Sequence, residues 1–120
     1  MQQDFSLYGK NFQEKLAQLI LEDRPFSEQM QEVLDIKFFE SKYLQVFTNL
    51  LFGYRSKYSV HPSNEILDSI LRTELEEEPD LIKKQVRDFF TRIRIREIED
   101  SEYVKAVSYT HLRAHETGRN

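Results

Sequence analysis

Asp35-Ile36-Lys37-Phe38-Phe39-Glu40-Ser41-Lys42-Tyr43-Leu44-Gln45-Val46-Phe47-Thr48-Asn49-Leu50-Leu51-Phe52-Gly53-Tyr54 is the most apolar stretch of the chain. Within it Phe38, Phe39, Tyr43, Val46, Phe47, Leu50, Leu51 and Tyr54 recur every three to four residues. That is the period of one helix face, whereas a half-buried strand would alternate. The stripe is wide and aromatic, which predicts a central helix from Asp35 to Tyr54 or a little beyond, touching most of the other elements. Gly53 weakens this helix by up to ~1 kcal/mol relative to alanine but does not end its pattern.

Helical spacing continues on both sides. Upstream, Phe12, Leu16, Leu19 and Ile20 form one stripe, predicting a first helix from about Asn11, its N-cap, to Glu22. Pro25 stops it and pushes Arg24 towards an extended conformation. Ser27 then caps a short second helix with Met30, Val33 and Leu34 on its inner side. Downstream, Tyr58-Ser59-Val60-His61-Pro62 reads as a connection, and Ser63 or Asn64 caps a fourth helix bearing Ile66, Leu67, Ile70 and Leu71. The acids Glu76-Glu77-Glu78 lead to Pro79 and Asp80, which suit the first turn of a fifth helix. That helix carries Leu81, Ile82, Val86, Phe89, Phe90 and Ile93 inward. Asp100 or Ser101 caps a last helix starting at Glu102-Tyr103-Val104-Lys105. The fold class is all-α, a compact bundle of about five to six helices.

Composition agrees. The chain has 120 residues, the length of one domain, with 39% hydrophobic and 32% charged residues, proportions of a globular rather than a disordered chain. Gly and Pro number three each, leaving few turns and favouring helices over many short strands. With no cysteine, disulfides, thiolate metal sites and thiol nucleophiles are excluded. No apolar run reaches the ~18 residues of a membrane span, and the amino terminus has neither the basic patch nor the apolar stretch of a signal peptide. The expectation is a soluble, cytoplasmic domain with no membrane association.

The chemistry-bearing residues are sparse. The fifth helix and its end hold Lys83, Lys84, Arg87, Arg92, Arg94 and Arg96, a candidate surface for phosphates or for a protein partner. Asp88, Glu97, Glu99 and Asp100 are mixed among them and the net charge is −4, so a solvated mixed face is the commoner outcome of such a pattern. His61 has no Ser, Cys or carboxylate partner at a telling spacing and reads as a packed loop residue. His111 and His115 are spaced as two imidazoles on one helix face, but a zinc site needs further ligands and only Glu116 is near. Glu76-Glu77-Glu78 lacks the Asp/Asn/Gly spacing of a calcium loop. Neither GxxxxGK[ST] nor GxGxxG occurs, so no catalytic, cofactor or metal site is expected within these residues.

Read in order, several strings resemble the start of a DnaB-type replicative DNA helicase of tailed bacteriophages. They are Phe12-Gln13-Glu14-Lys15-Leu16, Asp23-Arg24-Pro25-Phe26, Glu32-Val33-Leu34-Asp35 and Tyr43-Leu44-Gln45-Val46-Phe47. Lys57-Tyr58-Ser59-Val60-His61-Pro62-Ser63 and Ile70-Leu71-Arg72-Thr73-Glu74-Leu75 follow. Lys84-Gln85-Val86-Arg87-Asp88-Phe89-Phe90 and Asp100-Ser101-Glu102-Tyr103-Val104-Lys105 close the likeness, which spans about residues 5 to 105 and includes no catalytic motif. The resemblance implies a helical amino-terminal domain that forms a collar and offers a surface to a primase or helicase loader. It further implies a linker and a RecA-like motor beyond these residues. In the parent protein that motor would hold ATP and Mg²⁺ at the subunit boundaries of a homo-hexamer and pull single-stranded DNA in the host cytoplasm.

The likeness stops at Ala106, near where that family's helical hairpin would begin. Ser108-Tyr109-Thr110-His111-Leu112-Arg113-Ala114-His115-Glu116-Thr117 resembles the translated adapter read-through found at the ends of unrelated predicted genes. The expectation is therefore a helical domain over residues 1–105 and a non-native, disordered tail over 106–120.

Overall fold

Gly9 opens the first long helix. Its φ of 88° lies in the left-handed region that glycine occupies at little steric cost. The bend joins a 3-10 turn, Ser6–Tyr8, to α1, Lys10–Glu22. Asn11 is not the N-cap: it lies within the first turn, because the glycine bend starts the helix with no side-chain cap at all. Backbone is described for residues 5–117, and side chains for residue 5 and residues 7–112, in this computed structural model.

The α1–α2 elbow also differs from the expectation. Asp23, extended at φ −113° and ψ 101°, accepts from the Phe26 N–H at 3.0 Å and caps α2, Arg24–Val33. Arg24 and Pro25 belong to the first turn, where the missing proline N–H costs no hydrogen bond. Ser27, expected as the cap, is buried inside the helix.

The long apolar stretch divides where uninterrupted helix was expected. Asp35 accepts from the Lys37 N–H at 2.9 Å and starts a 3-10 turn, Ile36–Phe38; Phe39 is extended; and α3 runs Lys42–Tyr58. Other segments satisfy the backbone groups released by the break. Phe5 N–H donates to the Phe38 carbonyl at 2.9 Å, Glu40 N–H to Gln13 Oε1 at 2.7 Å, and Gln45 Nε2 to the Phe39 carbonyl at 2.8 Å. These bonds give partners to backbone groups that the interrupted helix leaves free. It turns Phe38 and Phe39 together into the core beside Phe5.

Ser59 ends α3 in the left-handed conformation, φ 60°. Ser63 then caps α4, Asn64–Thr73, by accepting from the Ile66 N–H at 3.2 Å, and Pro79 precedes α5, Asp80–Ile93. The last helix is α6, Ser101–Thr117. The described residues hold six α-helices and no strand, the all-α bundle that the sequence implies. The central position is shared: α3 packs on α1 and α5, while α1 packs on α2, α3 and α6. Between Phe12 and Leu21 every residue of α1 except Lys15 is buried. Leu81, expected inward, is 65% exposed, and Ile66 on α4 is 40% exposed.

Beyond Lys105, where a disordered tail is expected from the sequence, α6 runs on to Thr117; residues 118–120 lie outside the described residues. Val104, Ser108 and Leu112 follow a four-residue spacing and are all buried. The small Ser108 donates its hydroxyl to the Val104 carbonyl at 2.8 Å, so its one polar atom is satisfied inside the helix. Tyr109 meets Phe26 edge-on at 5.6 Å between ring centroids, and His111 lies 4.7 Å from the Phe5 ring. Among the described residues no helix is long and apolar enough to cross a membrane.

Candidate interaction surface

The six basic residues of the α5 region do not form one stripe. Lys83 and Lys84 are turned to acids of their own helix, Asp80 at 4.0 Å and Asp88 at 3.0 Å. Arg92 and Arg96 are drawn across to α1. Arg92 Nη2 donates to Glu14 Oε2 at 2.6 Å, and Arg96 Nη1 lies 3.7 Å from Glu14 Oε1. Arg87 and Arg94 remain on the exposed side. Among the described residues no carboxylate pairs with either, though the Arg94 guanidinium lies 5.4 Å from the centroid of the Phe90 ring.

Glu14 explains the division. It is 5% exposed, and a buried carboxylate is tolerated only when paired and hydrogen-bonded. The Tyr43 hydroxyl donates to its Oε2 at 2.5 Å, the same oxygen that Arg92 holds. Burial, and then the hydrogen bond to Glu14 and the charge of that carboxylate, push the Tyr43 phenol well above its ordinary value. One turn further, Gln18 Nε2 donates to the Arg96 carbonyl at 2.7 Å and to the Ile93 carbonyl at 3.3 Å. Gln18 Oε1 accepts from Arg96 Nε at 2.9 Å. This polar seam ties α1 to the end of α5, and sequence reasoning missed it. Glu14 and Gln18 sit at ordinary solvent-face positions of a helix whose apolar stripe is Phe12, Leu16, Leu19 and Ile20, and their partners are 78 residues away.

Beside the seam lies an open cleft of about 650 Å³ between the α1–α2 elbow and the α5–α6 connection. Arg24, Arg94, Arg96 and Lys105 line it together with Glu22, Asp23 and Glu97. At its rim Ile95 is 87% exposed. Lys105 Nζ stands 2.5 Å from Asp23 Oδ2. Burial works against the Asp23 carboxylate, but the Lys105 ammonium and the Phe26 N–H outweigh it and hold its pKa below the usual value. The cleft has mixed charge and an apolar edge, features of a protein contact more than of a phosphate track.

His61 is a structural clamp. Its Nδ1 lies 2.9 Å from Arg55 Nη1 and its Nε2 lies 2.5 Å from the Leu21 carbonyl. Arginine only donates, so Nδ1 accepts and the Nε2 proton goes to Leu21. With its lone pair engaged, the imidazole has no free nitrogen to act as a base. Burial lowers its pKa, as do the charges of Arg55 and Arg24, against the opposing pull of the Leu21 carbonyl and Glu28.

His111 is packed among Phe5, Tyr8 and Phe38, while the side chain of His115 lies outside the described residues. Among the described residues no group of three His, Cys, Asp or Glu is placed to hold a metal ion. Glu76 and Glu77 are exposed in the α4–α5 link. Comparison of the chain with models of protein families, with curated proteins and with solved structures gives no match.

Proposed function

We propose that the chain is the amino-terminal collar and interaction domain of a DnaB-type phage replicative helicase. On this reading it supports ring assembly and docking of a primase or loader for a motor outside these 120 residues. The likeness of the strings spread over residues 5 to 105 carries the proposal. An all-helical fold and a mixed-charge cleft with an exposed apolar rim are consistent with a docking module. The proposed residues turn over no ATP themselves. ATP, Mg²⁺ and single-stranded DNA belong to the motor, in the cytoplasm of a bacterial host. The test is genetic. Reading an intact source genome past codon 105 is expected to give a helical hairpin, a linker and then GxxxxGK[ST] in one frame. A stop codon after Asn120 in that genome would defeat the proposal.

A second reading is a free-standing adaptor that contacts nucleic acid through α5, favoured by the exposed, carboxylate-free Arg87 and Arg94. Charge reversal at these two positions should then lower DNA affinity and flatten its dependence on salt. Arg92 and Arg96 do not belong in that experiment, since they hold Glu14. Absence of DNA binding by the wild-type chain at low salt would end this reading.

A further inference from the structure

His61 offers one lone pair, and Arg55 occupies it. The Nε2 proton is committed to the Leu21 carbonyl at the end of α1, which leaves Nδ1 as the acceptor of the ring, 2.9 Å from Arg55 Nη1. An imidazole takes its second proton on that same lone pair. A proton and a guanidinium therefore compete for one atom. The protonated ring donates from both nitrogens and arginine only donates, so the contact does not survive charging of the ring.

The surroundings decide which side leaves. His61 sits in the connection between α3 and α4, between Ser59, whose N–H donates to the Arg55 carbonyl at 2.9 Å, and the buried Pro62. Moving the ring would displace Pro62 and break the Leu21 bond, which a positive charge strengthens. Arg55 has a second partner in reach. Its Nη2 lies 3.9 Å from Glu28 Oε1 on α2, beyond hydrogen-bond length. The same oxygen lies 3.9 Å from Arg24 Nε, so the carboxylate stands between two guanidinium groups and closes on neither. Gln31 Oε1 holds Arg55 Nε at 2.8 Å, and Glu28 and Gln31 share one face of α2 at a spacing of three. The guanidinium can thus pivot on Gln31 from His61 to Glu28. The charged groups facing the imidazole are Arg55 from α3 and Arg24 and Glu28 from α2, while α1 presents the Leu21 carbonyl.

We infer that His61 and Arg55 form a proton-operated switch: a proton on His61 Nδ1 releases the Arg55 guanidinium, which closes on Glu28, so that α3 exchanges its tie to the α3–α4 connection for one to α2. The inference goes beyond the helicase reading and does not depend on it. Burial, and after it the charges of Arg55 and Arg24, hold the His61 pKa below 6.5 against the pull of the Leu21 carbonyl and Glu28. The neutral, Arg55-bound form is therefore the one populated at neutral pH, and the exchange falls on the acid side of 6.5.

The test is an NMR titration of the full 120-residue chain from about pH 8 to about pH 4, across the ordinary histidine range. The His61 ring resonances and the Arg55 Nε–H resonance are expected to move with one midpoint. Over the same range the Arg55–His61 contact should fade and an Arg55–Glu28 contact should grow. Arg55→Met removes the competitor for the lone pair and should shift the His61 midpoint upward. Glu28→Gln, at an exposed position, leaves the guanidinium no carboxylate to close on; it should shift the midpoint downward and blunt the response of Arg55 Nε–H. An Arg55 Nε–H that stays put while the ring titrates overturns the inference, as does an unchanged midpoint in folded Arg55→Met. Should that variant not fold, the wild-type titration and Glu28→Gln decide alone. A chain that unfolds as a whole when His61 is protonated overturns the inference too. None of these outcomes bears on the reading frame beyond codon 105, so the two proposals fail separately.

Discussion

Glu14 sits under α5 because three side chains attend to it: the Tyr43 hydroxyl, the Arg92 guanidinium and, further off, Arg96. Tyr43→Phe removes a hydrogen bond to a charged acceptor and is expected to cost about 1–2 kcal/mol in urea unfolding. Arg92→Glu sets a second carboxylate against the first. Arg92 is half exposed, so solvent screening brings the cost to roughly 2 kcal/mol, below that of breaking a fully buried pair. Neither partner is legible from the sequence, because the pairings are created only when α3 and α5 are brought to α1. His61 gives a pH signature. Its pKa is lower folded than unfolded, so between the two values the unfolded chain binds the extra proton and stability rises with pH. Stability should therefore fall as pH drops below about 6.5, the unfolded value, and level off below the folded pKa. Urea midpoints at pH 7 and pH 5 should differ more for the wild type than for His61→Gln, which cannot titrate.

Helix boundaries follow the chemistry of a few caps. Asp23 both caps α2 and holds Lys105 of α6. Asp23→Asn keeps an acceptor for the Phe26 N–H but gives up the ion pair with Lys105, so it should lose less than Asp23→Ala, which gives up the cap as well and should lose about 1 kcal/mol or more by thermal or urea unfolding. Because the Asp23 pKa is lowered on folding, its contribution is present above the unfolded value near 3.8 and is lost as pH falls through the folded one. Ser63 and the Pro79-Asp80 pair were readable as helix starts because each acts locally, within one turn. The break between Asp35 and Lys42 was not. Apolar spacing runs across it unchanged, and the groups that stabilise it, Phe5, Gln13 and Gln45, are supplied by other parts of the chain. The same limit hid α6 beyond Lys105, where the inward positions include a serine and so weaken the apolar pattern.

Across the whole molecule, α6 covers the face of α1 and α2 that holds Phe26 and the region around Phe5. A chain ending at Lys105 loses the buried Leu112 and Ser108 and the Tyr109 contact. Leu112 alone is worth about 1.5–3 kcal/mol by burial, so this truncation should lower the thermal midpoint by several degrees. An unchanged midpoint would show that the segment after Lys105 adds nothing to the fold. The all-helical class was legible because periodicity is a local property; the cleft beside the seam was not, because it is assembled from ends of elements far apart in sequence. The seam between α1 and α5 has a further consequence during synthesis. Domains emerge from the ribosome amino terminus first, so α1 waits for partners that lie 78 residues later. Glu14 and Gln18 let water occupy that face of the helix in the interval. A nascent α1 with leucines at positions 14 and 18 would present a wider apolar surface for the whole of that interval.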